Sequence, residues 1–201
     1  MPQNKVVPAK RHYLSAELRR QAILRVADEV LATEGVANLS IVEVAHRAGI
    51  SRQLVYQHFS DLNTLLIEVI RMRLAEIQIS LEGNDRHHKL EIRDVVERHL
   101  HRILNFSTRD RQLFRNLFGD ITALPKELWP VIGEIRQTIV ERWVKLIDPS
   151  TCPSPLACAK MGLIIPAFLG AWDMIADHTV GEDEAVGLLL KVIESLFVLP
   201  W

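Results

Sequence analysis

Cysteine is scarce in this chain, and its absence removes whole classes of protein. Of 201 residues only Cys152 and Cys158 are cysteines. Two thiols make no disulfide framework, and they lack the C-x-x-C spacing of a zinc or redox site. Long apolar runs are missing too: none reaches the ~18 uninterrupted residues of a membrane span. The start, MPQNKVVPAKRHYLSAELRRQ, carries charge without the apolar stretch of a secretion signal. A cytoplasmic protein is expected. Catalytic motifs do not occur: there is no G-x-S-x-G, no P-loop and no H-E-x-x-H. The histidines are scattered. His87 and His88 fall in a loop-like stretch, and His99 and His101, two apart, lie on different helix faces. Asp173 and Asp177 share a face, but a solvated helix end accounts for them without a metal. No metal, no cofactor and no enzyme are expected.

What is present is an ordinary globular balance, 48% apolar and 24% charged residues, long enough for a real core. The net charge of −1 is uneven. Residues 1–60 hold eight Lys or Arg against five acids, a surplus of +3, which leaves −4 for the remainder. A basic end on a near-neutral chain suits a polyanionic partner for that end.

No β-period alternation is long enough for a strand, and proline and glycine fall mostly at joints, so the whole chain reads as helix. Residues 1–13 read as a basic arm. Ser15 caps a first helix whose face is Ile23, Val26, Ala27, Val30 and Leu31, and Gly35 stops it. Ser40 caps a short second helix with Glu43 completing a capping box, and Ile41, Val44, Ala45 and Ala48 form its inner face. Gly49 permits a sharp turn through positive φ. Ser51 caps a third helix held by Val55 and Phe59. Asp61 caps a longer fourth helix, with Leu65, Leu66, Val69, Ile70 and Leu74 inward. Further helices are expected near 89–106, 109–119, 126–147, 154–179 and 182–198, with Pro166 kinking the penultimate one. The fold class is all-α, with a helix-turn-helix domain over 1–60 and a larger helical domain over 61–201.

The stretch AGISRQLVYQHF, residues 48–59, raises the functional question. A short helix, a glycine turn and a second short helix make a helix-turn-helix, whose second helix enters the DNA major groove. Arg52 can donate two hydrogen bonds to guanine, Gln53 and Gln57 can pair with adenine, and Leu54 can touch a thymine methyl. Tyr56, His58 and serine hydroxyls suit phosphates, which fix register without reading sequence. The end of the third helix capped by Ser51 also offers backbone N–H groups to a phosphate.

Residues 15–70 resemble the N-terminal domain of the tetracycline-repressor (TetR) family. The matching residues are Ile23, Ala27, Gly35, Ser40, Val44, Ala45, the run Ala48-Gly49-Ile50-Ser51, Tyr56, Phe59, Leu65 and Leu66. The motif covers about a quarter of the chain, and the remaining helices match only in length and helical character. The resemblance implies that Ser40, Tyr56 and His58 bind phosphates while Arg52, Gln53, Leu54 and Gln57 face base edges. Where the family usually has a lysine near the start of the fourth helix, this chain has Leu62.

The resemblance further implies a small-molecule cavity in the larger domain. Phe106, Phe114, Phe118, Trp129, Trp143, Met161, Phe168 and Trp172 are its candidate lining, although most of them also serve an ordinary core. Asn105 and Arg115 are candidate polar anchors, and a lipophilic or aromatic effector is the expected class. The last two helices are strongly apolar. Gly162, Ala167, Gly170 and Ala171 permit close helix approach, and Leu188, Leu189, Val192, Ile193, Leu196 and Phe197 form a stripe too wide for one buried face. In the family these two helices make a four-helix dimer interface, which places Gly170, Leu189, Ile193, Leu196 and Phe197 there. The expectation is a homodimeric repressor that reads a pseudo-palindromic operator in double-stranded DNA and is released by its effector. An activator or global regulator of the same architecture, or a helical carrier or enzyme with an incidental helix-turn-helix, are the alternatives.

Overall fold

The computed structural model describes residues 15–82, 91–119, 122, 124–148 and 152–197. The basic arm and the His87–His88 pair lie outside them. The described residues form nine α-helices, with short 3₁₀ turns at Val36–Asn38 and Lys126–Leu128, and no strand. The chain divides into two compact units, Met1–Val69 and Ile70–Trp201. Leu65, Leu66 and Val69 of the fourth helix are buried and fall in the first unit.

In the first unit, α1 spans Ala16–Glu34, α2 Ile41–Arg47 and α3 Arg52–His58, and α4, Leu62–Glu82, begins there. Each start is set by a side chain that accepts an otherwise orphaned backbone N–H. Ser15 accepts from Leu18 at 3.2 Å, Ser40 from Glu43 at 3.2 Å, Ser51 from Leu54 at 3.2 Å and Asp61 from Thr64 at 2.7 Å. Gly35, at φ 79°, ends α1. The apolar faces of these helices meet in one core: Ile23, Ala27 and Val30 from α1, Val44 from α2, Val55 from α3 and Leu65 from α4 are all at most 1% exposed.

The second unit contains α5 (Ile92–Leu104), α6 (Thr108–Phe118), α7 (Trp129–Ile147), α8 (Pro155–Ala176) and α9 (Glu182–Leu196). The expected helices are all present, shorter by two or three residues at several ends. Ser107 and Ser154 cap α6 and α8. Helix α9 packs against α5 and α8, and α8 packs against α7. Val96, Leu100, Ile103 and Leu104 on α5 and Ala185, Val186, Leu189, Leu190 and Ile193 on α9 supply opposing buried stripes. Arg111 donates to the carbonyls of Leu104 at 2.7 Å and Phe106 at 2.9 Å, satisfying acceptors around the end of α5. Trp172 donates its indole N–H to the Ile103 carbonyl at 3.0 Å, which ties α8 to α5 inside the core.

Helix α8 continues through Pro166 without breaking. Pro166 lies on the exposed side, so its ring does not intrude on the packed face. At 22 residues and mean hydropathy 1.4 over its most apolar window, α8 is long and apolar enough to cross a membrane. Here it serves as a core helix on one face, burying Met161, Ile164, Ile165, Phe168, Ala171 and Trp172.

Candidate nucleic-acid interface

Helix α3 is only seven residues long, yet its three sides are chemically distinct. Val55 at 0% and Phe59 at 1% exposure anchor the inner side. Four residues apart along the helix, they fall on one face. Arg52, Gln53, Tyr56 and Gln57 are all exposed, Tyr56 at 54%. Their i, i+1, i+4 and i+5 spacing puts them side by side on the outer face. Leu54 and His58, also four apart, are half-buried on the flank.

The turn that aims this face is made by Gly49 at φ 63°, a conformation that a side chain makes costly. Its neighbours are secured by Ala48 N–H donating to Val44 O at 2.9 Å and Ile50 N–H to Ala45 O at 3.0 Å. Ser40 and Ser51 each use an oxygen lone pair as a helix cap. Their hydroxyl protons still provide a donor for a phosphate oxygen. From the far side, the Arg20 guanidinium sits 5.1 Å from the Phe59 ring centroid and pairs with Glu68 at 3.0 Å. That contact braces the end of α3 and was not read from the sequence, because Arg20 and Phe59 are distant along the chain.

Two charges behave differently from the sequence expectation. Glu43 does not complete the capping box. Its carboxylate instead accepts from Arg47 Nε at 2.5 Å, one turn later on α2. Arg47 also donates to Glu34. These bonds, Glu43 first, raise the guanidinium pKa above its ordinary value. Arg47 is thus committed to carboxylates within its own unit.

In the second unit the aromatic candidates separate into groups. Phe106, Phe114 and Trp172 form one cluster, with ring centroids 5.5–6.3 Å apart, and Phe118 stacks on Phe114 at 6.0 Å. Trp143 and Phe168 pair at 5.3 Å. A cleft of about 550 Å³ opens between α4 and α7, lined by apolar residues including Ile77, Ile103, Ile135 and Ile139. Of the eight residues expected to line a cavity, only Phe114 and Trp143 reach it. Phe168 and Trp172 border a void of about 10 Å³, room for roughly one water. Met161 is fully enclosed in core packing, while Trp129 donates to the Leu124 carbonyl at 3.1 Å and holds the start of α7. Phe106 and Phe118 also stay outside the cleft, occupied by their ring partners. Neither proposed anchor reaches it: Arg115 pairs with Asp173 at 2.6 Å, and Asn105 donates to Glu182 at 2.6 Å. Aliphatic residues at helix i, i+4 spacing line the cleft instead, and nothing in sequence separates these from core.

The residues of α8 and α9 expected at a dimer interface divide between buried and exposed positions. Leu189, Ile193 and Phe197 point into the subunit, at 3%, 0% and 9% exposure. Leu196 is half-buried and Gly170 is exposed. The outward residues are Leu188 and Val192 on α9 and Leu156 and Leu163 on α8, 37–72% exposed. Pro155, Ala159, Gly162, Pro166 and Gly170 complete the exposed strip on α8, giving it an apolar, small-residue surface.

The pattern described as "Bacterial regulatory proteins, tetR family" matches residues 23–69, from the inner face of α1 into α4. Over these residues the chain matches the tetR family. An uncharacterized helix-turn-helix transcriptional regulator of Mycobacterium tuberculosis is 32% identical over 66 residues, covering 32% of this chain and 35% of that one. The regulator AcrR of Shigella flexneri is 33% identical over 75 residues, covering 37% of this chain and 35% of its own. The chain thus spans about a third of the length of these curated relatives. A crystal structure of a TetR-like transcriptional regulator from Rhodococcus sp. RHA1 shares the fold over 89% of this chain and 95% of its own, with TM-score 0.64 and 21% identity. These names are of regulators and not of enzymes. Within the matched residues, Leu62 at the first position of α4 is half-buried.

Proposed function

We propose that this chain is a cytoplasmic transcriptional repressor that binds a pseudo-palindromic operator as a homodimer. The observation that carries the reading is the outer face of α3. Arg52, Gln53, Tyr56 and Gln57 are held together in solvent, while Val55 and Phe59 fix the helix that displays them. Four hydrogen-bonding side chains on one face have no role inside the unit, and their chemistry suits base edges and phosphates. Arg52, Gln53, Leu54 and Gln57 are assigned to bases, and Ser40, Ser51, Tyr56 and His58 to the backbone.

Dimerisation rests on the exposed strip of α8 and the outward residues Leu188 and Val192 of α9. An apolar surface of this continuity favours burial against a partner. Its glycines and alanine allow helices to approach closely. Release by a small effector rests on the cleft between α4 and α7, whose volume of about 550 Å³ lies within the ~300–1,000 Å³ range of ligand sites. Selection from a pool of random-sequence duplexes tests the DNA reading. A two-fold symmetric consensus is expected. Enrichment of no sequence over the starting pool would overturn it.

A further inference from the structure

Two clefts in the second unit share a wall. The first, of about 550 Å³, lies between the later turns of α4 and α7. The second, of about 380 Å³, adjoins it at Gln78 and Arg142. Both are lined by Gln78, Leu81, Arg142 and Trp143. Arg142 on α7 donates Nη1 to Gln78 Oε1 on α4 at 2.9 Å. This bond lies in the wall that the two clefts share, a polar bar between them.

The two clefts differ in charge. Apart from Gln78 and Thr138, the first cleft's polar lining is Arg71 and Glu134, of opposite sign, and Arg142 at the bar. Isoleucines, Phe114 and Trp143 provide its apolar walls. Around the second cleft stand Arg142, Lys145 and His99, with no acidic residue among the described residues lining it. His99 donates Nδ1–H to the Val95 carbonyl at 2.8 Å, and its ring stands T-shaped to Trp143. One cleft is apolar and the other is cationic.

We propose that these two clefts together bind an amphipathic organic monocarboxylate, with its alkyl or aryl body in the first cleft and its carboxylate on Arg142. This rests on the reading of the cleft as the effector site. Arg142 now faces a neutral amide oxygen. A carboxylate accepts two parallel, charge-assisted bonds from a guanidinium, which an amide oxygen cannot match. The ligand therefore displaces Gln78 from Arg142 and removes the bar, while Lys145 adds a second positive charge nearby. The apolar body excludes water from the new ion pair, which is what makes an otherwise exposed pair count.

The test is calorimetric titration of the full chain with two matched pairs: decanoate and decanol, and 2-naphthoate and 2-naphthalenemethanol. Each carboxylate is expected to bind at least tenfold tighter than its alcohol. The two pairs show whether the body is alkyl or aryl. Arg142→Gln is expected to bring the carboxylate-to-alcohol ratio close to one while alcohol binding persists. Arg142 is exposed, so the variant should keep its thermal unfolding midpoint. Gln78→Ala, which removes the competing acceptor, is expected to tighten carboxylate binding severalfold. Alcohols binding as tightly as carboxylates, or a ratio unchanged in Arg142→Gln, would overturn the carboxylate assignment and leave the effector site standing. Absence of binding by all four compounds would overturn both.

Discussion

Replacing Leu163 by alanine separates a dimer surface from a subunit core. Leu163 is 72% exposed at the middle of the α8 strip. Burying a leucine side chain fully is worth about 1.5–3 kcal/mol, so the part still in water here is worth about 1–2 kcal/mol per copy. Two-fold symmetry places the residue in the interface twice. Leu163→Ala keeps the β-carbon and should cost the dimer about 2–3 kcal/mol, a rise in dissociation constant of about 30- to 150-fold. Folding of the subunit should hardly change. Leu189 is the internal control, because it is 3% exposed on the opposite side of α9. Leu189→Ala should destabilise the fold by about 2–5 kcal/mol, at about 2–4 °C of melting temperature per kcal/mol for a chain of this size. Sedimentation velocity across a dilution series reads the first effect and thermal unfolding the second. An unchanged dissociation constant in Leu163→Ala would refute the assignment of this strip.

Two further outcomes follow from single contacts. Asp61 accepts hydrogen bonds from the Thr64 backbone and Ser60, which lower its pKa below the ordinary 3.8. A lowered folded pKa means the stabilisation is complete above the unfolded value and is lost as pH falls through the folded one. Acid unfolding below about pH 4 should therefore be shallower in Asp61→Asn, which keeps a capping oxygen but cannot titrate; identical acid curves would remove Asp61 from that role. Trp172→Phe deletes the bond to the Ile103 carbonyl and should cost at least about 1 kcal/mol, seen as a lower urea midpoint with an unchanged slope.

Much of the first unit was legible because its signals are local. Ser15, Ser40, Ser51 and Asp61 are caps whose partners lie three residues on, and Gly49 is a turn whose φ its own sequence position demands. Within α3 the four-residue periodicity separates Val55 and Phe59 from Arg52, Gln53, Tyr56 and Gln57 without knowledge of any neighbour. The second unit was harder for the opposite reason. The stripe Leu188, Leu189, Val192, Ile193 covers two faces of α9, and only the positions of α5 and α8 decide that Leu189 and Ile193 point inward. The aromatic residues divide between core and cleft for the same cause. Trp172 and Met161 are enclosed in the core at 1% and 0% exposure, whereas the cleft walls are isoleucines that look like core in sequence. Glu43 shows how a local signal fails: its capping-box spacing is correct, but Arg47 offers a charged donor four residues on.

The most direct test of the central claim compares two α3 variants on a selected operator and a scrambled duplex, by fluorescence anisotropy at one salt concentration. Arg52→Ala should lose about 1–3 kcal/mol on the operator and much less on the scrambled duplex, because a base contact carries sequence information. Tyr56→Phe should lose about 1 kcal/mol on both, because a phosphate contact carries none. Equal losses on both duplexes for Arg52→Ala, or a changed base preference for Tyr56→Phe, would contradict the reading of the α3 face.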